Sequence, residues 1–132
     1  MKELNFETLT GRMLYAVGRG LFNENKFFIF CGEEGTYRFV LEPNIECCEK
    51  VIYDSAEING IDTTGGHWDG FSEILSATKE TVYQTPAGAG PYEIFTTTLY
   101  RILTKDCAIT LKWHGYSIGC GGTTWPKLRA LI

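Results

Sequence analysis

Two β-rich segments, residues 92–104 and 107–114, flank the short connector Lys105-Asp106, and between them they carry Arg101, Lys112 and His114. Pairing them about a two-residue loop places Thr98, Tyr100 and Ile102 opposite Ile109, Leu111 and Trp113 on one face. That face reads as core. The other face gathers Arg101, Lys112 and His114 with Thr97 and Thr110. A guanidinium, an ammonium and an imidazole two strands wide can meet one anionic group, which is the chemistry of a phosphate-binding patch. The plain alternative is a solvated outer face on which each cation has a Glu or Asp partner, the ordinary condition of antiparallel sheets. Lys-Asp is not a favoured hairpin dipeptide, so a slip of one residue would divide the cluster.

Other residues offer weaker chemistry. Two glycine-rich stretches, residues 119–124 following the cationic strand and residues 63–67 in the centre, could turn successive backbone amides toward an anion or could be plain turns. Neither matches the phosphate loop of nucleotide triphosphatases or a dinucleotide-binding fingerprint. A Cys120–His114 dyad, or a His67–His114 pair working on a phosphodiester, can be drawn on paper, but no spacing favours either. The five cysteines are Cys31, Cys47, Cys48, Cys107 and Cys120. An odd number with two adjacent is no disulfide framework, and the absence of C-x-x-C or H-x-x-x-H spacing speaks against structural zinc. Glu46 and Glu49, flanking Cys47-Cys48, read as solvated acids. No metal, no cofactor and no catalytic residue is expected.

The elements that must position these groups read mostly as strands. Residues 12–17 form a first strand closed by Gly18 and Gly20. Residues 26–31 and 36–41 form a hairpin about Gly32-Glu33-Glu34-Gly35, which sets Phe28 opposite Phe39 and Phe30 opposite Tyr37 as an aromatic ladder in the core. Residues 50–54 make a short β-branched strand, residues 59–70 a loop rich in Gly, Thr and Asp, residues 68–75 one or two helical turns, and residues 76–84 a strand before the glycine-rich stretch 86–91. The expected architecture is α+β and mainly antiparallel: a small sheet or partly open barrel of six or seven strands with one or two short helices. Residues 1–132 read as a single domain, without repeat, linker or composition shift.

Composition bounds the function. With 12 Lys and Arg against 16 Asp and Glu the formal net charge is −4. That argues against a general binder of polymeric nucleic acid, although a pocket for one small anion remains open. The longest apolar run, residues 27–31, is far short of the roughly 20 residues that cross a bilayer, and Glu3 and Glu7 near the start do not suit a secretory signal. No membrane association and a cytoplasmic location are expected.

The run Glu46-Cys47-Cys48-Glu49, followed by Val51-Ile52-Tyr53-Asp54, is similar to the D-C-C-E-x-V-x-I-x-D signature of a domain found in phages and prophage-bearing bacteria. Thr97-Thr98-Leu99-Tyr100 resembles its W-T-F-Y strand, and residues 109–119 resemble its V-T-I-R-W-Y-G-x-S-N-G segment, with order and spacing kept over about residues 10–122. That domain in turn resembles the first class of Thoeris anti-defence proteins, phage sponges that hold cyclic ADP-ribose isomers without cleaving them. Some members also hold cyclic oligonucleotides of the CBASS system. The resemblance implies a homo-oligomer, dimer or hexamer, acting in the host cytoplasm on a cyclic nucleotide signal. Arg101, Lys112 and His114 would serve the phosphates, with Tyr116 and Phe95 as stacking surfaces for the base. Lys112 stands where the family has Arg, and Ile118 where it has Asn. Both changes remove donors and point to a different nucleotide preference or weaker binding. A reading from another class is a protein-binding inhibitor or immunity protein, for which the net negative charge suits an anionic mimic and no pocket is needed.

Overall fold

Short runs of β-branched and aromatic residues recur along the chain, and in a computed structural model they pair into ladders. The structure describes residues 3–20, 25–43, 49–63, 67–84, 87–90, 93–118 and 125–131. Among the described residues there are nine strands: β1 (Met13–Arg19), β2 (Phe27–Cys31), β3 (Tyr37–Glu42), β4 (Glu49–Ile58), β5 (Ile61–Asp62), β6 (Trp68–Gln84), β7 (Ile94–Thr104), β8 (Ala108–Ser117) and β9 (Lys127–Leu131). They form one sheet in the order β5-β4-β8-β7-β6-β1-β2-β3-β9. Every named strand pairing in it is antiparallel. The mainly antiparallel expectation holds, but the sheet has nine strands rather than six or seven. Helix is limited to two 3₁₀ turns, Phe6–Leu9 and Glu33–Gly35, among the described residues.

The extra strands come from segments whose local pattern misleads. Residues 68–75, expected as helical turns, are the first half of the 17-residue β6. Ser72, Ile74 and Ala77 turn inward while Phe71, Glu73 and Leu75 face out, so pairing with β1 on one side and β7 on the other overrides the helical pattern. The expected loop over 59–70 also contains a tight reversal. Asn59 and Gly60 take φ of 54° and 80°, the left-handed pair that suits a two-residue hairpin, and return β4 onto β5.

The β2–β3 hairpin corrects the expected aromatic ladder. Its connection uses five residues, 32–36, with Gly32, Glu34 and Gly35 all at positive φ. Phe28 therefore pairs with Val40, Ile29 with Phe39 and Phe30 with Arg38. A slip of one residue exchanges the two faces of a strand. Phe27, Ile29 and Cys31 are buried as a result, whereas Phe28 and Phe30 lie half-buried on the outer side.

β6 carries the sheet through its turn, because its first part pairs with β1 and its remainder with β7. The sheet folds over on itself, and β2 meets β4 and β8 across the core. Phe27 packs 5.0 Å from Tyr53 and 5.5 Å from Trp113, and Trp113 packs edge-on to Tyr100 at 5.7 Å. The indole Nε1 of Trp113 donates to the carbonyl of Asn25 at 3.3 Å, and the Tyr100 hydroxyl donates to the carbonyl of Pro126. β5 and β9 remain as separate edges, so this is an open sheet and not a closed barrel. No helix among the described residues is long and apolar enough to cross a membrane.

Candidate functional site

The outer face of the β4–β8–β7–β6 half is built row by row from strand register. In the observed β7–β8 ladder Leu103 pairs with Ala108, Arg101 with Thr110, Leu99 with Lys112, Thr97 with His114 and Phe95 with Tyr116. This is the register expected from a two-residue connector. Thr104 secures the turn by accepting from the backbone N–H groups of Asp106 and Cys107 through its hydroxyl, which compensates for the unfavoured Lys-Asp pair.

All five expected residues, Arg101, Lys112, His114, Tyr116 and Phe95, therefore share one face. Phe95 and Tyr116 form a tilted ring pair with centroids 4.9 Å apart. One row along, Thr97 and His114 are joined by a hydrogen bond of 3.2 Å between Oγ1 and Nδ1. Lys112 and Leu99 make the next row, and Thr110 and Arg101 the one after it. Each row advances the strand by two residues, or about 7 Å, so Arg101 lies about 20 Å from the ring pair. Lys112 and Arg101 line a common cleft of about 300 Å³ with Leu99, Thr110, Ser55 and Glu57.

Carboxylates answer these cations. β4 carries a bulge between Tyr53 and Ser55, which leaves Asp54 as the extra residue beside Lys112. Its Oδ2 accepts from His114 Nε2 at 2.8 Å and lies 3.4 Å from Lys112 Nζ. Arg101 Nη1 donates to Glu80 Oε2 of β6 at 2.9 Å. The plain alternative of a paired outer face is thus realised in part. Asp54, Glu57 and Glu80 outnumber Arg101 and Lys112 by one, and an incoming anion must displace or outcompete Asp54. Every one of these side chains is at least a third exposed, so the pairs are screened and individually weak.

Sequence reasoning missed Asp54 as a member of this face. The signal was the alternation Val51-Ile52-Tyr53-Asp54, which turns Asp54 outward once Val51 and Tyr53 face in; the bulge after Tyr53 then returns Ala56 to the core. His67 and His114 do not come together. His67 Nε2 bonds Asp69 Oδ2 at 2.7 Å and its ring borders Gly18 of β1, on the other half of the sheet. Among the described residues the buried thiols are Cys31 and Cys107, and burial pushes the Cys31 thiol up to about 11 against the lowering influence of Arg12. Glu46, Cys47, Cys48, Cys120 and the glycine-rich stretches 64–66 and 119–124 lie outside the described residues. Among the described residues no group of three or more His, Cys, Asp and Glu side chains could hold a metal ion.

Compared with known proteins, the chain matches no protein-family model, no curated sequence and no solved structure.

Proposed function

We propose that this protein binds and sequesters a cyclic nucleotide signal, a cyclic ADP-ribose isomer first among them, and does not cleave it. The proposed setting is a phage anti-defence role in the host cytoplasm, with the chain acting as a homo-oligomer. The observation that carries the reading is the outer face of β7 and β8, where a ring pair, a hydroxyl–imidazole pair and two cations follow one another along a single register. The base stacks on Phe95 and Tyr116, His114 braced by Thr97 meets the sugar, and the phosphates meet Lys112 at the near end of its cleft in exchange for the carboxylate of Asp54, with Arg101 at the far end in reach of a larger cyclic oligonucleotide.

A second reading draws on the chain Asp54–His114–Thr97, in which a carboxylate orients an imidazole that meets a hydroxyl. That order is the one used to activate a hydroxyl nucleophile. Thr97, however, is only 9% exposed. Held within the sheet surface, it suits a positioned hydrogen-bond partner better than an attacking group.

Isothermal titration with cyclic ADP-ribose isomers and cyclic di- and trinucleotides, followed by heat release and mass spectrometry, tests both readings. Sequestration expects saturable binding and release of intact ligand. A linearised product would establish the hydrolytic reading instead. Absence of binding to all of these at high micromolar concentration, with a stoichiometric host protein captured from lysate, would replace the proposal with the inhibitor reading.

A further inference from the structure

The outer side of β1 and β2, separated from the β7–β8 face by β6, carries a second concavity that the proposed function does not use. Its floor is made by small residues at alternate positions of β1, Ala16 and Gly18, and its wall by Phe28 and Phe30 of β2. The volume is about 380 Å³, within the range of small-molecule sites. The two phenyl rings are nearly parallel, 25° apart, with centroids separated by 6.5 Å. The pair gives the wall two adjacent aromatic surfaces of similar tilt against which a flat ring can lie.

The polar groups around this cleft are placed at its two ends. At one end His67 lies over Gly18: a Cβ added at Gly18 would sit 3.5 Å from Nδ1, while Nε2 is engaged by Asp69. Nδ1 is therefore the ring nitrogen turned toward the floor. At the other end, Ala16 and Phe30 are shared with an adjoining cleft of about 270 Å³ that is also lined by Arg38, Glu34 and Tyr15. Arg38 is the cross-strand partner of Phe30, so its cation stands directly beside the aromatic wall. Arg19, at the border of the floor, carries its guanidinium over the Tyr53 ring on the core side, 4.1 Å from the centroid.

We propose that this groove is a binding site for a planar aromatic or heteroaromatic ring bearing an anionic arm, with the ring against Phe28 and Phe30 above Gly18, its polar edge on His67 and its arm on Arg38. Glu34 beside Arg38 restricts the arm to a single compact anion, because a larger negative group would meet the carboxylate. The site is independent of the β7–β8 face.

The probe is 8-anilinonaphthalene-1-sulfonate, a fused ring with one sulfonate, followed by fluorescence titration of the folded chain. Gly18→Val is the informative variant. Gly18 is not at positive φ and has room for a Cβ, and valine favours a strand, so the fold should keep or gain thermal stability while the floor is filled. The proposal expects saturable binding by the parent, at least a tenfold loss in Gly18→Val, a several-fold loss in Arg38→Ala, and no change in Lys105→Ala, whose side chain is exposed in the β7–β8 turn. Binding that Gly18→Val leaves intact would overturn it. So would a parent that binds no probe but forms a concentration-dependent dimer broken by Gly18→Val, which would make the groove a contact between two copies.

Discussion

Replacing Asp54 by Asn tests whether its carboxylate occupies the place of a ligand phosphate. Asp54 Oδ2 lies 2.8 Å from His114 Nε2 and 3.4 Å from Lys112 Nζ, and the three side chains are 36%, 51% and 38% exposed. Ion pairs this open contribute up to about 1 kcal/mol, so the substitution should cost the fold no more than that and lower the melting temperature by about 4 °C at most. On a bound ligand the effect has the opposite sign. A carboxylate about 4 Å from a phosphate charge opposes it by about 1 kcal/mol in water and about 4 kcal/mol at a protein surface of lower effective dielectric. Because the face is half open, the lower figure applies, and a gain of about 1 kcal/mol corresponds to roughly five-fold tighter binding. Titration calorimetry of Asp54→Asn against the parent at low salt measures it, and the gain should shrink as ionic strength rises. Unchanged or weaker binding by a folded Asp54→Asn variant would refute the reasoning, since Asp54 would then be a contact for the ligand and not its competitor.

Four further outcomes are expected. Arg101→Ala or Lys112→Ala should weaken cyclic nucleotide binding by roughly 1.5–3 kcal/mol with the circular dichroism unchanged, and equal binding to the parent would mark the face as merely solvated. Trp113→Ala should cost roughly 3–5 kcal/mol in urea unfolding, because the indole is fully buried against Phe27, Tyr53 and Tyr100 and its Nε1 bond to Asn25 is lost as well. Stability should fall as pH rises above 9: the unfolded Cys31 thiol ionises near 9.0 while the folded one holds its proton to about 11, and burial raises the Tyr53 and Tyr100 hydroxyls in the same direction. Urea midpoints at pH 8 and pH 10 read that loss, and equal midpoints would contradict the buried environment assigned to these groups. Light scattering at micromolar concentration should return a mass of at least twice 14.8 kDa, and a monomer mass would remove the oligomer from the proposal.

The part of the fold that alternation could reveal is the part where a strand has one wet and one dry face. β7 alternates without interruption from Thr98 to Thr104 and β8 from Ala108 to Tyr116, so burial pattern and turn length agree on one register. In β2 both faces are aromatic, Phe27-Phe28-Ile29-Phe30, and the pattern contains no information about which residues turn inward. There the left-handed residues at Gly32, Glu34 and Gly35 decide, by making the connection one residue longer than the glycine spacing suggests. Residues 68–75 fail for a related reason. A strand flanked by partners on both sides gains more from two ladders than from its own local preference, and those partners, β1 and β7, are distant in sequence.

The candidate site divides along the same line. Which cations share a face follows from period two within one hairpin, and it was legible. Which acids answer them depends on strands brought from elsewhere. Glu80 arrives from β6 and Asp54 from β4, where it follows the inward Tyr53 and so faces out beside Lys112. Without that bulge the strand parity beyond Tyr53 would put Asp54 on the solvent face but Ser55 inward and Ala56 outward, and the buried row of Tyr53 and Ala56 could not form. The bulge thus serves packing, since it keeps Ala56 in the core, while alternation from Tyr53 already sets the Asp54 carboxylate between an ammonium and an imidazole. A face built only for solubility has no need of one acid shared by two donors. On the proposed sequestration reading, an acid so shared holds Lys112 and His114 in place at an electrostatic cost that an incoming anion must overcome, which is why the Asp54→Asn variant should be folded and bind more tightly.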